Sequence, residues 1–241
     1  MSLRGIILAG GKGTRLGELT RVTNKLLLPV GPLPMIYYPL KKLVGAGITE
    51  ILLVSGTEHI GDFVELLGSG REHGCSLTYL VQDEAGGIAQ ALGLAERFCA
   101  GTPCMVILGD NIFEHSISSL AIGAMNENDA LVVLKRVADP KRYGVAQWES
   151  GKILSIEEKP EKPKDNFAVT GIYIYPPDVF EVVKTLKPSA RGELEITDVN
   201  NHYLQQNRLR CRVMNGYWTD AGTPESLAEA NRLVTENPPR F

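Results

Sequence analysis

The sequence predicts an α/β protein built on a doubly wound sheet, and three observations support that prediction. Short aliphatic runs alternate with amphipathic stretches up to residue 135, as in a sheet covered by helices. A glycine-rich loop follows the first aliphatic run directly. The chain of 241 residues is 44% hydrophobic and 22% charged, an ordinary globular composition. A chain of this length suits one α/β domain, so we expect residues 1–241 to form a single domain.

The alternation places the elements of the first half. Aliphatic runs predict buried strands, and the amphipathic stretches between them predict helices. Because loops at the carboxyl ends of such strands gather at one edge of a sheet, we expect the ligand site there. The predicted strands are 6–8, 51–54, 77–81, 105–108 and 130–134, and the predicted helices are 36–46, 60–67, 85–98 and 117–126.

The pattern changes after residue 135. Segments 144–148 and 152–156 predict a hairpin whose turn is 149–151, and a charged, proline-rich loop follows at 159–165. We interpret this part as a small β insertion within the domain. A further strand is predicted at 169–175, and helices are predicted at 193–205 and 226–235.

Composition excludes several classes of function. A net charge of -3 and a pI of about 5.9 provide no basic surface for nucleic acid. None of the four cysteines forms a C-x-x-C pair, which argues against zinc, and their scattered use suits a reducing cytoplasm. Neither a targeting leader nor a long apolar stretch is present, so we expect no membrane partner and a cytoplasmic location.

The loop "AGGKGTRL" at residues 9–16 is the first candidate site. Glycines at 10, 11 and 13 allow backbone N–H groups to converge on an anion. Lys12 and Arg15 add positive charge, and Arg15 can donate two hydrogen bonds to phosphate oxygens. These features indicate a polyphosphate ligand, although a plain strand-to-helix turn remains the alternative.

Two common nucleotide motifs fail in this loop. The P-loop pattern requires lysine where Gly11 stands, and the dinucleotide fingerprint requires glycine where Leu16 stands. The loop therefore indicates a nucleotide site of another kind than a P-loop or a dehydrogenase.

Two aspartates are candidate metal ligands. Asp110 follows a predicted buried strand in "LGDNIF", and Asp220 lies in "WTDAGT". Mg²⁺ at phosphoryl-transfer sites is held by one or two carboxylates. Both residues can equally be turn aspartates, and a separation of 110 positions does not show that they meet.

Other polar residues allow a functional and a structural interpretation. Lys25 can contact a phosphate or simply extend to solvent, and Gln82 can pair with the edge of a pyrimidine or precede a helix. Glu158 and Lys159 can bind sugar hydroxyls and phosphate or form a solvated strand end. Gly171 interrupts a predicted strand, where glycine is unfavourable unless another group approaches closely.

Ten segments occur in order between residues 5 and 223, and together they resemble the glucose-1-phosphate thymidylyltransferase family of sugar nucleotidyltransferases. They are "GIILAGGKGTRL", "NKLLLPV", "PMIYYPL", "QDEAGGIAQAL", "LGDNIF", "RYGVA", "EEKP", "VTGIYIY", "ARGELEITDVNN" and "WTDAGT". The resemblance implies a Rossmann-like nucleotidyltransferase fold, with a mixed, mostly parallel sheet flanked by helices and a small sugar-binding β insertion. It implies transfer of a thymidylyl group from dTTP to glucose 1-phosphate with Mg²⁺, which opens dTDP-rhamnose synthesis.

The resemblance also assigns roles to residues at matching positions. Arg15, Lys25, Asp110 and Lys159 are implied to be catalytic, and Asp110 and Asp220 to hold Mg²⁺. The implied nucleotide contacts are Leu8, Gly10, Gly11, Thr14, Arg15, Lys25, Gln82 and Gly87. The implied sugar-phosphate contacts are Tyr143, Gly144, Glu158, Lys159, Val169 and Gly171.

Two departures from the family pattern leave alternatives open. Leu26 stands where many members carry a glutamine that contacts the nucleotide, so UTP remains an alternative to dTTP. The chain ends at 241, whereas longer members carry a C-terminal helical extension linked to dimer contacts and an allosteric site. Feedback control and tetramer formation are therefore not carried over, and a homo-oligomer is left open. Another sugar 1-phosphate and a non-catalytic sugar-nucleotide sensor are further alternatives.

Overall fold

The computed structural model describes residues 3–11, 13–124 and 128–241. Thirteen strands and eight α-helices are present in these residues. The strands are β1 (Arg4–Leu8), β2 (Pro29–Val30), β3 (Leu33–Pro34), β4 (Glu50–Gly56), β5 (Ser76–Gln82), β6 (Cys104–Leu108), β7 (Asn111–Phe113), β8 (Ala130–Arg136), β9 (Gly144–Glu149), β10 (Lys152–Glu158), β11 (Phe167–Tyr175), β12 (Leu209–Val213) and β13 (Trp218–Asp220). The helices are α1 (Tyr37–Gly45), α2 (Ile60–Leu67), α3 (Ile88–Gly93), α4 (Glu96–Cys99), α5 (Ser118–Ala124), α6 (Val179–Thr185), α7 (Ile196–Gln205) and α8 (Pro224–Glu236).

Nine of these strands form one mixed sheet. Six of them follow the order β8-β11-β6-β1-β4-β5. Strand β12 pairs with the other edge of β8, and the β9-β10 hairpin pairs through β9 with the first residues of β11. Strands β1, β4, β5 and β6 are parallel to one another, and β11 runs antiparallel to both β6 and β8. The predicted doubly wound α/β architecture, with a mixed, mostly parallel sheet flanked by helices, is confirmed.

Alternation along the strands divides the core between the two faces of the sheet. Ile7 and Leu53 belong to one apolar cluster, together with buried residues of α1, α2, α5 and α8. Ile6 and Leu52 belong to the other cluster, together with buried residues of α3, α6 and α7. Both clusters consist of buried side chains, so helices cover the sheet on both sides. No helix in the described ranges combines the length and apolar character needed to cross a bilayer.

Strand β11 connects the central sheet to the insertion. Its last residues, 172–175, pair with β6, whereas Phe167 and Ala168 pair with β9. Its pairing with β8 shifts register between Val169 and Tyr173. Such a bulge leaves backbone groups without a strand partner, and the residues of this bulge line the ligand cavity described below.

Most predicted elements are present, and the predicted hairpin is confirmed as β9-β10. The prediction of one helix over 85–98 is wrong, because the segment forms two helices, α3 and α4, that begin only at Ile88. The helix predicted from residue 193 begins at Ile196, because Leu194 pairs with the backbone of Gly86 and Ala89 instead. Helix α6 and strand β12 were not predicted. Residues 125–126 of the predicted helix 117–126 lie outside the described residues, as does Lys12.

Candidate active site

A cavity of about 390 Å³ opens where β1, β5 and β6 end and extends to β11 and the β9-β10 hairpin. It therefore lies at the sheet edge where the sequence analysis places a ligand. All the residues to which the resemblance assigns a role line this cavity except Thr14, which is exposed at the start of a 3₁₀ segment, Thr14–Thr20. The lining residues among them are Leu8, Gly10, Gly11, Arg15, Lys25, Gln82, Gly87, Asp110, Tyr143, Gly144, Glu158, Lys159, Val169, Gly171 and Asp220.

Lys25 and Asp110 form an ion pair at the end of the cavity near the glycine loop. Lys25 Nζ donates to Asp110 Oδ2 at 2.5 Å, and the two side chains are 12% and 14% exposed. The Asn24 carboxamide caps the 3₁₀ turn Lys25–Leu27 by accepting from the backbone N–H of Leu26, and this fixes the lysine in place. Leu26 itself is 1% exposed and belongs to an apolar cluster, so it points into the core instead of the cavity.

Asp110 is ionised in this setting. Burial raises the pKa of its carboxyl, whereas Lys25, Asn111 and the charge of Arg15 lower it. The lowering effects are larger in sum, so the pKa lies below its ordinary value. Asn111 Nδ2 donates to Asp110 Oδ1 at 2.8 Å. Both carboxylate oxygens therefore have a protein partner.

Asp220 reaches the same region from β13, which pairs with β7 so that Asp220 lies opposite Asn111. Arg142 Nη2 approaches its two oxygens at 3.0 and 3.3 Å, and the Tyr143 hydroxyl donates to Oδ1 at 3.0 Å. Burial and the charge of Asp110 nevertheless raise the pKa of Asp220. The two aspartates are thus close enough to influence each other electrostatically, although they lie 110 positions apart in the sequence.

The donor set fits a hard divalent cation. Two carboxylates are the number that Mg²⁺ takes from a protein when substrate phosphates and water complete its shell. Among the described residues, no group of three or more histidine, cysteine, aspartate or glutamate side chains is arranged around a metal position. A divalent cation whose shell is completed by substrate phosphates and water suits the two aspartates.

Gln82 and Gly87 line the cavity on the side of α3. Gln82 ends β5 and is only 7% exposed, and its Nε2 donates to Gln90 Oε1 at 2.5 Å. Gly87 has φ of 102°, and a Cβ there would lie 2.5 Å from the carbonyl oxygen of Leu194. Glycine is needed at 87 for the fold as well as for any ligand that approaches it.

The opposite end of the cavity carries the acidic and basic residues of the insertion. Thr197 donates to Glu158 Oε2 at 2.6 Å, and Lys159 Nζ lies 3.5 Å from Glu158 Oε1. Lys159 adopts φ of 44°, uncommon for a residue with a side chain, and its backbone N–H donates to the carbonyl of Tyr143. Arg191 completes this end, held by Glu195 through contacts of 2.7 to 3.1 Å.

Asn111 connects the two ends. Its Oδ1 accepts from the backbone N–H of Gly171 at 3.0 Å and from Trp218 Nε1 at 2.6 Å, while its Nδ2 holds Asp110. The bulge in β11 explains the first bond, because Asn111 replaces the strand partner that Gly171 lacks there. The sequence analysis expected another group to approach Gly171 closely, and that group is the Asn111 side chain.

The sequence analysis did not single out several other polar residues of the cavity. Each lies inside or beside a segment that was recognised, such as "LGDNIF", "RYGVA" or "WTDAGT", but only the fold shows which neighbours contact the cavity. They are Asn111, Arg142, Thr170, Arg191, Glu193, Glu195, Thr197 and Trp218.

Residues 4–237 match the family model described as nucleotidyl transferase. The chain belongs to the nucleotidyl transferase family. It is 45% identical over 237 residues to a glucose-1-phosphate thymidylyltransferase of Neisseria meningitidis, covering 96% of this chain and 82% of the relative. It is 43% identical over 236 residues to the enzyme of that name from Mycobacterium tuberculosis, with the same two coverages.

Two solved structures extend the comparison. A candidate glucose-1-phosphate thymidylyltransferase from Bacillus anthracis, in complex with sucrose, is 54% identical with a TM-score of 0.95, covering 100% of this chain and 97% of that one. A UDP-glucose pyrophosphorylase complexed with UDP-glucose is 27% identical with a TM-score of 0.84, covering 98% and 99%. The predicted Rossmann-like nucleotidyltransferase fold and the predicted resemblance to the thymidylyltransferases are confirmed, and the chain is an enzyme of this family.

Proposed function

We propose that this chain transfers a thymidylyl group from dTTP to α-D-glucose 1-phosphate and thereby forms dTDP-glucose and pyrophosphate. The supporting observation is one cavity with two kinds of polar end. Arg15, Lys25 and the two aspartates line one end, and Glu158, Lys159 and Thr197 line the other. It occurs in a chain that is 45% identical, over nearly its whole length, to glucose-1-phosphate thymidylyltransferases.

The glycine-loop end is proposed to hold the nucleotide. Arg15 and Lys25 balance the charge of the triphosphate, with the backbone of the loop beside them. Gln82 and Gly87 contact the base, because they line the cavity where β5 passes into α3. The full proposed set is Leu8, Gly10, Gly11, Thr14, Arg15, Lys25, Gln82 and Gly87.

Asp110 and Asp220 are the residues proposed to hold Mg²⁺. When bound, the ion would neutralise charge on the nucleotide phosphates. Lys25 forms an ion pair with Asp110, and Arg142 forms one with Asp220.

The other end is proposed to hold glucose 1-phosphate. Lys159 binds its phosphate, and Glu158 accepts hydrogen bonds from sugar hydroxyls while Thr197 fixes the orientation of the carboxylate. Tyr143, Gly144, Val169 and Gly171 form the surrounding surface.

The proposed reaction is one in-line displacement. An oxygen of the sugar phosphate forms a bond to the α-phosphorus of dTTP, and the bond from that phosphorus to the bridging β-phosphate oxygen breaks. Pyrophosphate carries away the electron pair. Because the attacking group is already an anion, the protein positions two mutually repelling phosphates and stabilises the spreading charge with Arg15, Lys25 and Lys159.

A uridylyl transfer is the second candidate, because a UDP-glucose pyrophosphorylase has the same fold at 27% identity. The test is release of pyrophosphate with glucose 1-phosphate and Mg²⁺, comparing dTTP with UTP. We expect strong release with dTTP, with the buried Leu26 making no difference to base choice. Faster release with UTP would reassign the activity. No release with either, from folded protein, would favour another sugar 1-phosphate or a non-catalytic sensor.

A further inference from the structure

The side chain of Gln82 forms a hydrogen bond with a second glutamine, which does not line the cavity. Gln90 lies in α3, half-buried, and its Oε1 accepts from Gln82 Nε2 at 2.5 Å. Gln82 lines the cavity, whereas Gln90 is absent from its wall. Gln90 can therefore affect a bound base only through Gln82.

This hydrogen bond couples the orientation of the Gln82 carboxamide, and hence the end that faces the glycine loop, to Gln90. With Nε2 turned toward Gln90, Oε1 points the other way and lies 2.6 Å from the position that a Cβ would occupy on Gly10. Gly10 also lines the cavity, so the oxygen is the end of the amide presented at the loop. A primary amide has an acceptor end and a donor end, and reversing it exchanges the two.

We infer that Gln90 is a positioning residue that makes this site select a pyrimidine with a hydrogen on N3 over cytosine. Thymine and uracil donate from N3, which matches an acceptor oxygen on Gln82. Cytosine has an unprotonated N3 that accepts, so the same oxygen would face a second acceptor. The inference deepens the proposed function and rests on its assignment of the base to Gln82.

The chemistry of residue 90 supplies a direct test. In Gln90→Met the side chain keeps nearly the same length but loses the Oε1 acceptor, so the Gln82 amide can reverse. In Gln90→Glu the side chain can only accept at neutral pH, so the orientation is retained. Gln205→Met, at an exposed position at the end of α7, is the matched control for a glutamine-to-methionine change.

The measurement is kcat/KM for dTTP and for dCTP with saturating glucose 1-phosphate and Mg²⁺, alongside calorimetric titration with dTDP and dCDP. We expect wild type, Gln90→Glu and Gln205→Met to share a strong preference for thymine. In Gln90→Met we expect that preference to fall about five- to tenfold, the effect of one hydrogen bond, through KM for dTTP with KM for glucose 1-phosphate unchanged.

The outcomes separate the role of Gln90 from the proposed function. An unchanged preference in Gln90→Met would overturn the inference, and so would an equal loss in Gln90→Glu. Wild type that binds dTDP and dCDP equally well would also overturn it. Absence of pyrophosphate release with every nucleotide, combined with a thymine preference that depends on Gln90 in the titration, would instead contradict only the proposed reaction.

Discussion

Replacing Gly171 with alanine tests the junction between the two ends of the cavity. A Cβ at this position would lie 2.5, 2.6 and 2.8 Å from Oδ1, Cγ and Nδ2 of Asn111, closer than packed atoms allow. Asn111 is 3% exposed and makes hydrogen bonds to Gly171, Trp218 and Asp110. It cannot move away without breaking at least one of them.

The expected cost follows from these contacts. Overpacking of a tight site costs about 1–3 kcal/mol, and each hydrogen bond lost adds about 1 kcal/mol. We therefore expect Gly171→Ala to lower the free energy of unfolding by about 3 kcal/mol, which corresponds to roughly 6–12 °C in Tm for a chain of this size. Because Asn111 also orients Asp110 and Trp218, kcat/KM should fall by about tenfold or more.

Thermal unfolding followed by circular dichroism, together with steady-state pyrophosphate release, measures both effects. Gly61→Ala is the control, since a Cβ at this exposed position in α2 has nothing within 4 Å. The control should leave Tm unchanged or raise it slightly. If Gly171→Ala has the same Tm and the same kcat/KM as the wild type, Asn111 is not the rigid junction described above.

Three further predictions concern the charged end of the cavity. Asp110→Ala should abolish turnover with saturating Mg²⁺, and activity within a few-fold of wild type would contradict the metal assignment. In EDTA at pH 7, Asp110→Asn should lower Tm, because the pKa of Asp110 is depressed and its charge stabilises the fold until the pH falls through that pKa. Asp220→Asn should raise Tm under the same conditions, because a raised pKa makes the ionised form unfavourable, a cost that disappears as the pH falls below about 3.8. Shifts of equal sign in the two variants would refute this electrostatic account. Arg15→Ala should reduce kcat far more than Lys12→Ala, and equal effects in steady-state kinetics would remove Arg15 from its proposed role.

The parallel core was predictable because its strands are continuous aliphatic runs that carry their own signal. The elements that were missed lack such a signal. Strand β12 reads "LRCRV", where two arginines interrupt the apolar pattern, and it is defined mainly by its pairing with β8. The break at Gly87 depends on a contact with Leu194, more than a hundred positions away, which no local pattern contains.

The candidate site shows the same division. Residues in glycine-rich or strand-terminal motifs were identified because the motif itself contains the chemistry. The partners that orient them were not identified, because their contacts form only in the folded chain: Asn111 bonds Trp218, Arg142 contacts Asp220, and Gln90 holds Gln82. Sequence spacing shows which residues follow strands but not which side chains then meet.

The path of β11 has a consequence for how such an enzyme can change its substrate. One continuous strand pairs with β6 from Ile172 onward and, four residues earlier at Ala168, with β9 of the hairpin. Backbone pairing therefore sets the spacing between the two ends of the cavity, independently of the side chains that line the hairpin. With the sugar phosphate bound at the hairpin as proposed, substitutions there can alter which acceptor is bound while the distance over which the nucleotidyl group moves stays the same. The backbone of β11 thus sets the distance between the two ends, and the side chains of the hairpin set the choice of acceptor. A new acceptor specificity can therefore arise without a change in the geometry of the chemical step.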